Sequence, residues 1–314
     1  MRNTQDGVRA LRDRYESGDN SAIQAIKEEA GKYHFYHNIE IVPGVLTAGE
    51  AWTDDYVNRV IAVMKRFDFK RKRVLDIGCR DGAQSFAAEQ LGATESIGID
   101  NDLSDGLTNF LIPFKDSKVR AFQCNVNDLS REKFGKFDIV VFSGVLYHLR
   151  YPIWALRRIA DVLKPDGILI IEGGFIEGFA DLPILFCPIG TDSPYESTSV
   201  SYFNEAGITD TLLSIGFSGI RHHDTFNHTF NDKLEKKYLE EKFPKFFKEY
   251  SGHHKLSVCR KIFSCIKKWS ADDKRIPEME SILQRYWDGI HGIHTSSTIH
   301  HKASPEKPTE KVTD

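Results

Sequence analysis

Residues 73–100 read RVLDIGCRDGAQSFAAEQLGATESIGID, and this stretch decides the fold. The apolar run 74–77 is typical of a strand that is buried on both faces. The glycines that bound segment 78–82 indicate a tight turn, and segment 83–91 is rich in helix-forming residues. A second strand is predicted over 96–100, and it ends on an aspartate. The pattern therefore predicts a β-loop-α-β unit with a carboxylate at the tip of its second strand, which is typical of a nucleoside cofactor site.

The loop between the first strand and the helix indicates which cofactor is favoured. A dinucleotide fingerprint needs the pattern G-x-G-x-x-G, so that backbone amides can approach a pyrophosphate. This chain has G-C-R-D-G instead, and an anionic side chain at Asp81 disfavours a diphosphate. A cofactor with an amine and a sulfonium fits the loop better. The alternative is an ordinary strand-turn-helix without a ligand.

At these residues the chain resembles the class I S-adenosylmethionine (SAM)-dependent methyltransferases. Their glycine-loop motif is matched by residues 76–82, and their ribose-binding acid is matched by Asp100. The resemblance covers residues 70 to 262, with the motifs in the same order. It implies an α/β fold with a doubly wound, Rossmann-like, seven-stranded sheet, to which helical N-terminal and C-terminal additions are attached. It also implies SAM as the cofactor.

The resemblance assigns a role to several side chains at the carboxyl ends of the strands. Asp76 and the Gly78 region are expected to face the methionine part of SAM. Asp100 is expected to accept hydrogen bonds from the ribose hydroxyls, and Asn125 and Val126 are expected to flank the adenine. The complete set of predicted cofactor-binding residues is Asp76, Gly78, Cys79, Arg80, Gly82, Asp100, Asn101, Asn125, Val126 and Ser143.

Tyr147 and His148 are the predicted catalytic residues, because they follow the fourth predicted strand at the cofactor end. A histidine has an unperturbed pKa near neutrality, so His148 could remove a proton from a hydroxyl or amine acceptor. The alternative is that His148 is structural or lines the cofactor pocket. The histidine pairs elsewhere lack metal-ligand spacing on one helix face, and no metal site is predicted.

The chain divides into four predicted parts. They are an N-terminal helical cap (1–69), a SAM-binding domain (70–263) with a lid loop (173–202) and an insertion (227–254), a C-terminal helix (264–295) and a disordered tail (296–314). Composition adds further expectations. A net charge of −3 gives no global attraction to nucleic acid or to an anionic membrane. Five cysteines without a C-x-x-C pair favour reduced thiols in a cytoplasmic protein. No apolar run is long enough to span a membrane, and the N-terminus does not have the pattern of a signal peptide.

Three functions are compatible with the sequence. The first is methyl transfer from SAM to an oxygen or nitrogen of a small or medium-sized acceptor. The second is transfer to tRNA, because GVLYHL at 144–149 resembles the GVLYHR segment of the tRNA wobble-uridine carboxymethyltransferases. Leu149 stands where those enzymes have arginine, and the segment HNIEIVPGVLTAG (37–49) matches them loosely. The third is a SAM-fold protein that binds or scaffolds without catalysis.

Overall fold

The computed structural model describes residues 2–177, 182–189, 193, 197–226 and 257–268. Within these ranges the N-terminal part contains α1 (Arg2–Glu16), α2 (Ala22–Ala30), β1 (Glu40–Val42), β2 (Val45–Leu46) and α3 (Asp54–Met64). The elements that follow are β3 (Arg73–Ile77), α4 (Ala83–Gln90), β4 (Glu95–Asp100), α5 (Ile112–Lys115), β5 (Arg120–Gln123), α6 (Arg131–Phe134), β6 (Phe137–Ser143), α7 (Pro152–Val162), β7 (Leu163–Glu177), β8 (Leu185–Phe186), β9 (Tyr202–Phe203), α8 (Glu205–Ser214), β10 (Phe217–Phe226) and β11 (Ser257–Lys267).

Seven strands form one sheet in the order β10-β11-β7-β6-β3-β4-β5. The five strands from β5 to β7 in that order are parallel to one another, whereas β11 runs antiparallel to both β7 and β10. The chain order reverses at β3, which pairs with β4 on one side and with β6 on the other. The predicted doubly wound, Rossmann-like sheet of seven strands is confirmed. A ligand site is expected outside the carboxyl ends of the strands at this reversal.

Apolar side chains cover both faces of the sheet, as expected for buried parallel strands. On one face Leu156 and Ile159 of α7 pack in one cluster with Leu75 and Val140. On the other face α3 contributes Met64 to a second cluster, which includes further residues of β3 and β6. The sheet is therefore a rigid platform whose strand ends can position side chains precisely.

The N-terminal part packs through an apolar cluster of its own. Val8 and Ile26 from α1 and α2 lie in this cluster with Phe35, Phe86 and Phe110. It therefore joins the N-terminal helices to α4 and to the helical turns that follow β4. As a result, the segment between α2 and α3 runs close to the glycine loop after β3.

One boundary differs from the sequence-based predictions. We predicted that a lid loop starts at 173, but β7 continues as a strand to Glu177. The cause is long-range pairing, because β11 lies beside β7 from Ser257 opposite Glu177 to Ile266 opposite Ile168. Within the remaining part of the predicted lid, β8 pairs with β9.

Other predictions fall on residues that are not described. The insertion at 227–254, the C-terminal helix beyond residue 268 and the tail at 296–314 lie outside the described residues. Of the helices that are described, none has both the length and the apolar character that crossing a membrane requires.

Candidate active site

A cavity of about 680 Å³ opens at the carboxyl ends of the parallel strands. We call two parts of its lining the cofactor side and the aromatic side. The cofactor side consists of Gly78, Arg80, Asp100, Asn101, Asn125 and Val126. The aromatic side consists of Tyr36, Trp52, Tyr56, Tyr147 and His148. Both sides border one continuous space, with a size that is typical of a site for small molecules.

The glycine loop on the cofactor side has a backbone shape that side chains disfavour. Gly78, Arg80 and Gly82 all have positive φ angles, of 81°, 45° and 85°. A Cβ atom on Gly78 would lie 2.2 Å from Cγ2 of Val145, so this position requires glycine for space as well as for conformation. The backbone N–H of Gly78 donates to the carbonyl of Ile99 (2.8 Å), which ties the loop to β4.

Asp100 stands at the end of β4 with both carboxylate oxygens oriented by the backbone. One oxygen accepts from the N–H of Arg80 (2.9 Å), and the other accepts from the N–H of Asp102 (2.8 Å). Burial raises the pKa of Asp100, and these two hydrogen bonds oppose that effect. The guanidinium of Arg80 forms an ion pair with the exposed Asp102. Asp100 is therefore a fixed acceptor at the edge of the cavity.

Asp76, Cys79 and Gly82 were predicted to contact the cofactor, but they do not line the cavity. Asp76 lies behind the loop, where the hydroxyl of Ser85 donates to its carboxylate (2.6 Å). Burial raises the pKa of Asp76 to about 6. Cys79 is buried against Gly98, and Gly82 precedes α4. Contrary to the expectation from the sequence, Asp76 faces the interior because a strand buried on both faces directs its side chains into the core.

Asp81 also differs from expectation, because its side chain points away from the cavity. Its carboxylate is fully buried and accepts hydrogen bonds from the backbone N–H groups of Tyr36 (2.8 Å) and His37 (2.9 Å). Burial alone would raise its pKa, but the hydrogen bonds from His37 bring the pKa below its ordinary value. The predicted repulsion between Asp81 and a diphosphate was therefore wrong, since this carboxylate accepts hydrogen bonds from within the protein.

The other predicted cofactor residues do border the cavity. Asn101, Asn125, Val126 and Ser143 all line it. The side chain of Asn125 accepts from the N–H of Asn127 (2.9 Å) and thereby begins a short 3₁₀ helix. Val126 is buried, so it offers an apolar surface beside this polar turn.

Tyr147 and His148 lie in a 3₁₀ turn that follows β6. Their rings are adjacent, with centroids 4.3 Å apart. Nδ1 of His148 lies 3.3 Å from the carbonyl oxygen of Thr198. A carbonyl can only accept, so Nδ1 carries the hydrogen, and Nε2 is the basic nitrogen of the neutral ring.

A buried ion pair at the base of the cavity was not predicted. Nε and Nη2 of Arg260 donate to the two carboxylate oxygens of Glu172 (2.6 and 2.7 Å), and Nη1 donates to the hydroxyl of Tyr147 (3.0 Å). Ser143 and Gly144 also donate to Glu172. The sequence carried a signal for Glu172, which directly follows the apolar run 168–171, but none for Arg260, which stands beside Lys261 in a strand with further polar residues.

SAM fits the residues that are present. A Cβ atom on Gly144 would approach one described atom within 4 Å, Nη2 of Arg260 at 4.0 Å, so the backbone there is open to a ligand. Among the residues that the structure describes, three carboxylates (Asp100, Asp102, Glu172) and two guanidiniums (Arg80, Arg260) line the cavity. A cofactor with an amine, a sulfonium and one carboxylate complements this balance. Among the described residues, no three His, Cys, Asp or Glu side chains are grouped to hold a metal ion.

Comparison with known proteins identifies the family. The profile of the methyltransferase domain family matches residues 51–222. The chain belongs to this family, and its fold and family together define it as a class I SAM-dependent methyltransferase.

Relatives of known activity match a shorter part of the chain. A tRNA U34 carboxymethyltransferase of Helicobacter pylori (strain Shi470) is 33% identical over 122 residues, which are 38% of this chain and 46% of that protein. The enzyme of the same name from Pseudomonas paraeruginosa (strain DSM 24068 / PA7) is 34% identical over 132 residues, which are 41% of this chain and 40% of that protein. The matched part is therefore less than half of each relative.

Solved structures show the same fold at low identity. The N-terminal domain of EvdMO1 with SAH bound has a TM-score of 0.54 and 16% identity, and the match covers 78% of this chain and 97% of that domain. A structure of EvdMO1 has a TM-score of 0.51 and 18% identity, with 78% of this chain and 47% of that chain covered.

Proposed function

We propose that this chain transfers a methyl group from SAM to an oxygen or nitrogen atom of a small or medium-sized acceptor. The observation that carries the proposal is that the cofactor side and the aromatic side line the same cavity and adjoin each other there. Asp100, Asn125 and Val126 would bind the adenosyl part of SAM. The aromatic side would then bind the acceptor next to the methyl group.

SAM supplies an activated methyl group on a sulfonium, so the protein mainly has to align the acceptor and exclude water. Tyr36, Trp52 and Tyr56 offer ring surfaces for alignment, and they contact one another edge to face with centroids 5.4 and 5.6 Å apart. Nε2 of His148 would accept the proton of a hydroxyl or amine acceptor. Glu172 and Arg260 would fix the hydroxyl of Tyr147 at the base of the site.

The charges around the cavity support a small acceptor over a polyanion. Each guanidinium that lines the cavity is paired with a carboxylate, Arg80 with Asp102 and Arg260 with Glu172. Binding to a nucleic acid backbone gains its affinity from cations that neutralise phosphates. The described lining therefore supplies little of that attraction.

Modification of tRNA at the wobble uridine is the second candidate. The relatives that carry this name favour it. Arg260 also favours it, because a donor such as carboxylated SAM would need a cation for its additional carboxylate, and Arg260 brings a guanidinium to the cavity. Glu172 already binds two nitrogen atoms of this guanidinium, which is why this candidate comes second.

Transfer of labelled methyl from SAM into fractionated cell extract tests the proposal. Small molecules and RNA are separated after the reaction, and Asp100→Ala serves as the control for use of the cofactor side. We expect label in the small-molecule fraction with the wild-type chain and much less with Asp100→Ala when the SAM concentration is low enough not to saturate the variant. Label confined to tRNA would contradict a small-molecule acceptor and favour the second candidate. Absence of label from every fraction, together with tight SAM binding, would contradict methyl transfer from SAM and leave a binding protein or transfer from a carboxylated donor.

A further inference from the structure

Asp81 lies in the glycine loop, but its side chain contacts the segment that forms the aromatic side. This carboxylate is fully buried within the glycine loop, but it does not line the cavity. Its partners are the backbone N–H groups of Tyr36 and His37, and Nδ1 of His37 lies 3.2 Å from the same oxygen. A buried charge is costly unless it is hydrogen-bonded, so these contacts are a specific feature of the fold.

The two residues that Asp81 binds are the point from which the aromatic side is built. The carbonyl of Tyr36 accepts from the N–H of Glu50 (3.0 Å), and the carbonyl of His37 accepts from the hydroxyl of Thr47 (2.6 Å). The chain is close-packed here, because a Cβ atom on Gly49 would lie 2.2 Å from the carbonyl carbon of His37. Segment 45–53 is therefore fixed against Tyr36 and His37.

Ring contacts continue from this point across the aromatic side. The ring of Tyr36 contacts Trp52, and Trp52 contacts Tyr56. The guanidinium of Arg260 then lies over the ring of Tyr56, 4.3 Å from its centroid. One hydrogen-bonded carboxylate in the glycine loop thus determines where a series of ring surfaces stands in the cavity.

We infer that Asp81 is a positioning residue for the acceptor: it fixes segment 36–56 over the cavity, while the neighbouring Asp100 serves the cofactor. This role rests on the proposed methyl transfer, but it can be tested without measuring turnover. Two carboxylates 19 positions apart, Asp81 in the glycine loop and Asp100 at the end of β4, then have separate roles in one site.

Amide hydrogen exchange in the full chain without ligand is the direct test. Tyr36 and His37 lie outside every helix and strand, yet their amides should be protected in the wild-type protein because both donate to Asp81. Exchange of these two amides at the rate of an exposed loop would overturn the inference. This outcome does not depend on any variant or on the identity of the acceptor.

Asp81→Asn sharpens the test, because it keeps the shape of the side chain and removes the charge. We expect exchange in peptides covering 35–53 to accelerate by about tenfold or more. SAM affinity by calorimetry should change by less than about threefold. The matched control is Asp138→Asn, since Asp138 also accepts from a backbone N–H and has a nitrogen-bearing side chain beside it, but lies away from the cavity.

The control should leave exchange over 35–53 unchanged. Exchange in Asp81→Asn equal to that of the control would contradict the inference, and so would a loss of SAM affinity as large as that of Asp100→Ala. A chain that binds no SAM at all but shows the predicted exchange would contradict the proposed function and leave the positioning role of Asp81 supported.

Discussion

The cofactor side and the aromatic side of the cavity are assembled in different ways. Apart from Ser143, the predicted cofactor residues come from a continuous part of the chain, 76–126. The aromatic side combines residues from 36–56 with Tyr147 and His148, above a base formed by Glu172 and Arg260. The first depends on local backbone geometry, whereas the second depends on contacts between distant segments. Local patterns therefore indicate where a cofactor binds much more readily than what the acceptor is.

The base of the cavity gives the strongest test of this difference, because its two charges are 88 positions apart in the chain. Arg260→Ala leaves Glu172 buried without its cation, and we expect a loss of about 3–5 kcal/mol in the free energy of unfolding. Denaturation by urea measures it. The double variant with Arg260→Ala and Glu172→Gln is the comparison, since it removes both charges and the neutral amide needs no cation. A loss below about 1 kcal/mol for Arg260→Ala would show that the folded protein does not depend on this ion pair.

Asp76, which lies behind the glycine loop of the cofactor side, is tested by the pH dependence of stability. Its pKa is raised from 3.8 to about 6 in the folded protein, mainly by burial. A pKa that is higher in the folded state favours folding below pH 4, and this contribution of about 3 kcal/mol is lost as the pH rises through 6. Asp76→Asn should flatten the dependence of melting temperature on pH between 4 and 6.

Asp138→Asn is the control for this pH prediction, because the pKa of Asp138 is lowered in the folded protein whereas the pKa of Asp76 is raised. Burial alone would raise the pKa of Asp138, but Lys164 and the N–H of Arg73 bring it below its ordinary value. Its contribution is present above pH 4 and is lost as the pH falls further. The substitution should therefore alter the melting curve below pH 4. Identical pH profiles for Asp76→Asn and the wild type would show that Asp76 is not titrating in this range.

His148 tests whether the aromatic side carries chemistry as well as shape. If Nε2 accepts the proton of the acceptor, His148→Ala should lower turnover by about 100-fold while SAM affinity stays within about threefold. Turnover is measured with the acceptor fraction that takes up label, and affinity is measured by calorimetry. His148→Gln, which retains a polar side chain, separates loss of the base from loss of a contact. Equal turnover in the wild type and in both variants would leave His148 a structural residue.

Asp100 gives the smallest predicted effect and the one most specific to the cofactor. If Asp100 accepts hydrogen bonds from the ribose hydroxyls, as proposed, Asp100→Ala should lower SAM affinity by about 30-fold with little change in melting temperature. The matched variant is Asp102→Asn. Asp102 is the neighbouring carboxylate, its side chain is 80% exposed, and it pairs with Arg80. Unchanged affinity in Asp100→Ala would count against the assigned ribose role.

Apolar periodicity and the glycines in the loop predicted the β-loop-α-β unit, and the resemblance to the class I methyltransferases implied the sheet of seven strands. Seven of the ten predicted cofactor-binding residues line the cavity. The sequence-based predictions failed where the same type of residue can either face a ligand or bind groups inside the protein. Asp81 was interpreted as facing a ligand, but its carboxylate binds Tyr36 and His37. Sequence spacing cannot show this, since the partner lies about 45 residues away. The length of β7 was missed for the same reason, because β11 determines it through pairing.

Competition calorimetry on the wild-type chain tests the central claim most directly, namely that the cavity at the strand ends is a SAM site. SAM is titrated into the protein alone and then in the presence of excess NAD or ATP. We predict a one-to-one complex with SAM that neither nucleotide displaces. Binding of NAD or ATP in place of SAM, or no heat with SAM at millimolar concentration, would contradict the account.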